Sequence, residues 1–168
     1  MPFQSNLFYG MFGQNEPFYG KNQVEEEGNT MDASIIGRAG KPYEVTIEAD
    51  RIKAFAKALQ DANPLFSDDS GGTLYAPPTF PTTFGFPIDL LSELNIDFLR
   101  LLHGEQEYVY FKPIKAGDTL VCTSRIADVS EKEGKTGPMK LIVLETEARD
   151  KHTNDPVVIS KATLIIRG

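Results

Sequence analysis

The sequence predicts an α+β domain in which a curled antiparallel sheet wraps one apolar helix, and three observations predict it. Helical periodicity is confined to the first half of the regular region. Four runs rich in β-branched and aromatic residues fill the second half, and short turn-forming stretches separate them. Helices followed by a run of strands, without alternation, give segregated layers. At 168 residues the chain has the length of one domain with a core of its own.

Residues 1–30, MPFQSNLFYGMFGQNEPFYGKNQVEEEGNT, stand apart as an extension outside the core, and the domain proper is assigned to residues 31–168. The extension has an internal echo, NLFYG and EPFYG, but neither a helical nor a strand period. Phe8, Tyr9, Phe12, Phe18 and Tyr19 are costly to leave in water, which favours packing on the domain or a partner. A leader without fixed structure is the other reading, and Met31 is a second candidate start.

From Ile35 the pattern is regular. In EADRIKAFAKALQD, Ile52, Phe55, Ala56 and Leu59 fall on one helical face, with Glu48 and Asp50 where the helix dipole favours negative charge. Asn63-Pro64 ends this helix. APPTFPTTFGFPIDLLSEL opens with prolines suited to a first turn and continues with Phe84, Ile88, Leu91 and Leu94. Apolar nearly all round, it reads as a buried central helix, and Pro87 predicts a kink or break in it. EYVYFKPI, TLVCTSRIADVSEK, MKLIVLETEARD and DPVVISKATLIIRG read as strands of a meander joined by KAGD, KEGKTGP and KHTND. One sheet around one helix is the hot-dog arrangement. A lone copy would leave a long sheet edge unpaired, so a dimer or larger assembly is expected.

Composition narrows the function classes. A net charge of −7 argues against nucleic acid and anionic membrane as main partners, since both call for clustered Lys and Arg. The single Cys122 lies in the apolar run TLVCTSRI, as a core thiol would, and cannot form an internal disulfide. No apolar run reaches the ~20 residues of a membrane span and no signal peptide opens the chain, so a soluble cytoplasmic protein is expected. His and Cys are too few and too far apart for a metal site, and no phosphate-cradling glycine loop is present. No bound cofactor is expected.

The order ALQDANPLF, LYAPPTF, HGEQEYVYFKPIKAGDTL and then strands resembles the MaoC-like dehydratases and (R)-specific enoyl hydratases, especially their N-terminal-type, substrate-binding members, over Ile35 to Gly168. The resemblance implies an acyl-thioester substrate, carried on coenzyme A or a carrier protein, and water addition or removal at a trans-2-enoyl or (3R)-hydroxyacyl group. Catalytic members carry a D-x-N-P-x-H motif whose Asp and His hold and deprotonate the water. Asp61, Asn63 and Pro64 match it, but Phe66 stands where the His belongs and can neither accept nor donate a proton. Those members also read A-H-G-M at the start of the central helix, where a glycine N–H helps to bind the thioester carbonyl. This chain reads Ala76-Pro77-Pro78-Thr79, and Pro78 has no N–H to give. Losing one such donor costs on the order of 10²–10³ in rate, and losing an acid–base group roughly 10²–10⁴.

The chain is therefore expected to be the acyl-thioester-binding subunit of a hydro-lyase, paired as a homodimer or with a full-motif hot-dog chain. Asn63, Phe66, Pro78, Thr79, Phe80 and Phe84 are the expected substrate-binding residues, with Phe86 a further tunnel candidate. A self-sufficient hydratase is the alternative, using Asp61 as base and His103, beside Gly104 at a strand entry, as replacement proton carrier. A thioesterase or plain acyl-CoA binder is a third reading. Asp61 and Asn63 also suit an ordinary turn, and His152 a solvated one. Gly117-Asp118 reads as a hairpin-like turn stabilised by its polar side chain, with a turn facing the carrier as the other reading, and Lys41, Lys112 and Lys115 are candidate phosphate contacts or solvated surface lysines.

Overall fold

A computed structural model describes residues 33–68, 71–94, 96–134 and 137–167. The N-terminal extension thus lies outside the described residues. Among the described residues the five strands are β1 (Tyr43–Thr46), β2 (Leu101–Tyr110), β3 (Thr119–Gly134), β4 (Gly137–Asp150) and β5 (Pro156–Arg167); the α-helices are α1 (Ala49–Ala58), α2 (Pro64–Ser67) and α3 (Ile88–Ser92). One antiparallel sheet has the order β1-β3-β4-β5-β2, and its concave face covers the segment between Phe80 and Leu94. This is the hot-dog arrangement.

Two expectations about the sheet need correction. Only β3, β4 and β5 form a meander, because β2 pairs with β5 at the far edge and not with β3. The link from Phe111 to Asp118 is too long for a tight hairpin, and it anchors itself across the sheet end: Phe111 donates its N–H to the Val157 carbonyl and Ile114 is buried. Strand β1 is unanticipated by periodicity, being four residues long with only Val45 buried in it. It pairs with the start of β3 through the register Glu44 to Val121.

The helical half also differs from its sequence pattern. Helix α1 buries Ile52 and Ala56, but Leu59 lies at its C-cap and is half exposed. The chain leaves the helix through Gln60, at φ +57°, before Asn63 is reached. The expected central helix is not continuous. Phe80–Thr83 is a 3-10 turn, α3 is one turn and a half, and Gly85 between them has φ +112°. Pro81 and Pro87 remove two N–H donors from what would be one helix, so the backbone cannot close the ladder. Phe86 and Ile88 consequently face outward, 42% and 62% exposed.

The break coincides with a division of the core. One cluster gathers Val45, Ile52, Phe80, Phe84, Leu120 and Val158; the other gathers Leu90, Leu91, Ile126, Ile142 and Leu164. Between them the inward positions of three successive strands are polar: Ser124, Thr146 and Ser160, which are register partners. The Ser124 and Thr146 hydroxyls are 2.8 Å apart, and Gln106 of β2 donates to the Ser160 hydroxyl at 2.8 Å.

Candidate functional site

The broken segment stands over this polar row. Pro81, Gly85, Phe86 and Pro87 form one wall of a cleft of about 190 Å³, and Thr146, Ser160, Gln106 and His103 line the other side. Gln106 is fixed by a second bond, from its amide to the Lys161 carbonyl at 3.0 Å. A small cavity of about 30 Å³ adjoins through Pro81, Gly85, Thr146 and Ser160 and reaches Tyr43 and Phe84. A recess of about 350 Å³ shares Gly85, Phe86 and Pro87 with the cleft and extends to Lys41 and Asp89.

His103 reaches the cleft because of a backbone irregularity. It sits inside β2, not at a strand entry as its sequence context suggests, and the register slips between His103 and Glu105. The extra residue is Gly104. A Cβ there would lie 2.6 Å from Ile165 Cδ1, so this approach of β2 to β5 needs a residue without a side chain. The His103 ring nitrogen Nε2 lies 3.1 Å from the Glu105 carbonyl, which fixes the ring locally.

The motif loop is arranged differently. The Asp61 carboxylate accepts the Asn63 N–H at 2.9 Å, and the Asn63 side chain accepts the Leu65 N–H at 3.1 Å, capping α2. Pro64 occupies the first turn of α2, where its missing N–H costs nothing. Phe66 is half-buried. The loop lines a separate groove of about 210 Å³ with Pro64, Leu65 and Thr73, and Asp61 is not among the residues of the cleft that His103 lines. Of the two residues expected to share proton transfer, only His103 lines the cleft.

At the start of the central segment, Pro78 turns its carbonyl to the Tyr110 hydroxyl, which donates at 2.7 Å. Thr79 is exposed at the N-cap of the 3-10 turn. Phe80 is 1% exposed and packs edge-on against Phe55, ring centres 5.4 Å apart, and against Phe84 at 6.1 Å. Phe80 therefore belongs to the core, and Phe84 joins it while touching the small cavity. Phe86 is the ring that lines the cleft.

Electrostatics around the site rest on burial. Desolvation pushes the Tyr43 phenol up to about 12; the neighbouring Cys122 thiol adds to this and a bond with Ser124 opposes it. Burial likewise pushes the Cys122 thiol up to about 12, which makes it a core group and not a nucleophile at neutral pH. Asp89 is held below its ordinary range by the backbone N–H groups of Leu90 and Lys41. Lys112 pairs with Asp155, His152 donates its backbone N–H to Asp150, and Asp118 accepts the Lys115 N–H in the Gly117 turn. Among the described residues no cluster of His, Cys, Asp or Glu is arranged to hold a metal ion. No helix among them is long and apolar enough to cross a membrane.

Motif matching does not find Thr146, Ser160 and Gln106. For Thr146 and Ser160 the signal is a polar interruption, at matching register, of the inward apolar period of neighbouring strands, and it becomes visible only once the strands are aligned; Gln106 pairs with Ala162 and reaches Ser160 through its side chain.

Comparison with known proteins agrees with this architecture. The family described as "FAS1-like, dehydratase domain region" matches residues 34–159. The UPF0336 protein of Thermobifida fusca is 35% identical over 151 residues, covering 82% of this chain and 95% of that one. The UPF0336 protein of Saccharopolyspora erythraea is 32% identical, covering 82% and 92%. Among solved structures, the C-terminally truncated HadBC (3R-hydroxyacyl-ACP dehydratase) complex of Mycobacterium tuberculosis superposes with TM-score 0.66 at 23% identity, covering 78% of this chain and 96% of that chain. The MaoC-like dehydratase of Rhodospirillum rubrum gives 0.57 at 20%, covering 78% and 91%. A sheet closed over a broken central segment, a half-kept hydratase motif and these matches lead to one assignment: the chain belongs to the FAS1-like dehydratase-region family, with the hot-dog fold of the MaoC-like dehydratases.

Proposed function

We propose that this chain is the acyl-thioester-binding subunit of a (3R)-hydroxyacyl-thioester dehydratase or trans-2-enoyl hydratase, and that a full-motif hot-dog chain supplies the proton transfers. One observation carries the proposal. The Asp61 carboxylate is engaged by its own turn, and the position that a motif histidine would hold is the hydrocarbon ring of Phe66. Pro78 supports it, since a thioester carbonyl gaining negative charge finds a carbonyl oxygen and no N–H at that residue. In this reading the cleft over the polar row takes the acyl part, with Phe86 and Pro87 as its apolar wall and Gln106 and Ser160 as its polar floor. Pairing with another hot-dog chain is supported by the two-chain complexes among the structural relatives, HadBC and ChsH1-ChsH2.

The chain's own contribution is then binding and water exclusion. The substrate's proton leaves and returns through the partner's acid–base pair. The test is the hydration of a short trans-2-enoyl-CoA, followed as loss of ultraviolet absorbance, with the chain alone and with a full-motif partner. Turnover only in the mixture is expected. Turnover by the chain alone would favour the self-sufficient enzyme, and His103 is the residue to replace first because it alone of the two proton-carrier candidates lines the cleft. Release of free thiol with the enoyl group intact would favour a thioesterase.

A further inference from the structure

On their inward faces the three inner strands change chemistry at one register line. Cys122 and Ile126 flank Ser124 on β3, Leu144 and Ala148 flank Thr146 on β4, and Val158 and Ala162 flank Ser160 on β5. A plain alkyl chain gains nothing from such a floor. A hydroxyl that loses water to a hydrocarbon receives no bond in return, so the row works against an unsubstituted acyl group lying across it.

The row is made of two bonded groups that meet at a cavity. Tyr43 bonds to Ser124, whose hydroxyl lies 2.8 Å from that of Thr146; on the other side Gln106 bonds to Ser160. Thr146 and Ser160 are register partners, and both line the small cavity as well as the larger cleft. At about 30 Å³ that cavity is on the scale of a single oxygen-sized group.

The bonding pattern sets which atoms are offered to a guest. The carbonyls of Lys161 and Glu107 only accept, so the Gln106 atom lying 3.0 and 3.4 Å from them is the amide nitrogen. The same nitrogen donates to Ser160 Oγ at 2.8 Å. The Ser160 hydroxyl therefore keeps its own proton to donate, and Gln106 Oε1 is left as an acceptor without a partner among the described residues. A donor beside an acceptor complements a hydroxyl, and the donor alone serves a ketone. No Lys or Arg lines the cleft, so a carboxylate there would lack a counter-charge.

We infer that the cleft selects acyl groups carrying an uncharged oxygen, a hydroxyl or a keto group, part-way along the chain, and that Ser160 and Gln106 are the residues that recognise it. The inference deepens the proposed function and rests on it for the ligand being an acyl thioester. Neither Asp61 nor Pro78 lines the cleft, so the oxygen held there is a second one, distinct from the oxygen that the reaction adds or removes. Phe86, Pro87 and Leu144 supply the apolar walls for the carbons on either side of it.

Calorimetric titration of the full chain with saturated acyl-CoAs from hexanoyl to dodecanoyl tests this. At each length the plain chain is compared with forms ending in a hydroxyl, a methyl ketone or a carboxylate, so that varying the length scans the oxygen along the cleft. At one length the hydroxyl or ketone form is expected to bind on the order of tenfold tighter than the plain chain, with the carboxylate form weaker than either. Ser160→Ala should abolish the preference without weakening the plain chain. Gln106→Met, the second variant, should reduce the preference for the hydroxyl more than that for the ketone, which needs only the donor. A plain chain bound as tightly as its oxygenated forms at every length overturns the inference and leaves the subunit reading standing. So does a preference that survives both substitutions, a carboxylate bound most tightly, or a loss in Ser160→Ala that is equal for plain and oxygenated ligands, as a merely structural serine would give. If no acyl-CoA binds, the inference falls, and the enoyl assay with a full-motif partner still decides the subunit reading.

Discussion

Asp61 and Asn63 show how a motif can survive as local structure. Each oxygen accepts an N–H two residues ahead, so the pair shapes the path from α1 into α2. Asn63→Ala should lower stability by about 1 kcal/mol, the usual cost of losing a helix cap. Asp61→Asn keeps an acceptor oxygen and should change it by less than about 0.5 kcal/mol. Urea unfolding of the two variants checks both values, and the same Asp61→Asn chain should support a full-motif partner as well as the unmodified one does. A second residue-scale prediction concerns alkaline pH. Cys122 and Tyr43 are both held near 12 in the folded chain, against ordinary values of 9.0 and 10.0. An unfolded chain therefore releases these protons first, so the stability they contribute is complete below about pH 9 and is lost as pH rises from there towards 12. The urea midpoint should fall over that range, and Tyr43→Phe should flatten part of the fall. A parallel decline in the variant would show that Tyr43 plays no part.

At the scale of elements, the central segment matters because it is interrupted. Two prolines and Gly85 prevent the helix that the apolar pattern invites, and the gap they leave becomes the cleft above Thr146 and Ser160. Gly85 at φ +112° is the conformational requirement, since space is available: an added Cβ would meet only Tyr43, at 3.9 Å. Gly85→Ala should therefore destabilise by about 1–3 kcal/mol through backbone strain alone, read as a lower melting temperature. An unchanged melting temperature would mean that the segment relaxes into another path. The β2 bulge has a parallel role, because slipping the register at Gly104 sets His103 on the concave face beside the cleft.

For the whole molecule, the question is whether two core clusters make one cooperative unit. They are separated by a polar row, yet β3, β4 and β5 run through both, and their ladders cannot open at one end without exposing the other. Leu120→Ala in the first cluster and Leu164→Ala in the second should each cost about 2–5 kcal/mol. Both should shift a single unfolding transition that fluorescence of the tyrosines and far-ultraviolet dichroism report together. Separate transitions would mean that the polar row divides the domain thermodynamically.

The sequence by itself determined the α+β class, the three long strands β3 to β5, the break at Pro87 and the buried thiol of Cys122. Each follows from a local cause: runs of β-branched and aromatic residues between turn-forming stretches, a missing N–H, or a small apolar residue in an apolar run. It also exposed the half-kept motif, since Phe66 and Pro78 are chemical facts whatever the fold. Tertiary structure alone decided that β2 crosses to the edge beside β5, because sheet order depends on where a link is anchored and not on the strand's own pattern. It decided that Phe80 packs in the core while Phe86 lines the cleft, since both are equally apolar on paper. The polar floor arises in the same way. Ser124, Thr146 and Ser160 are distant in sequence and become neighbours only through strand register.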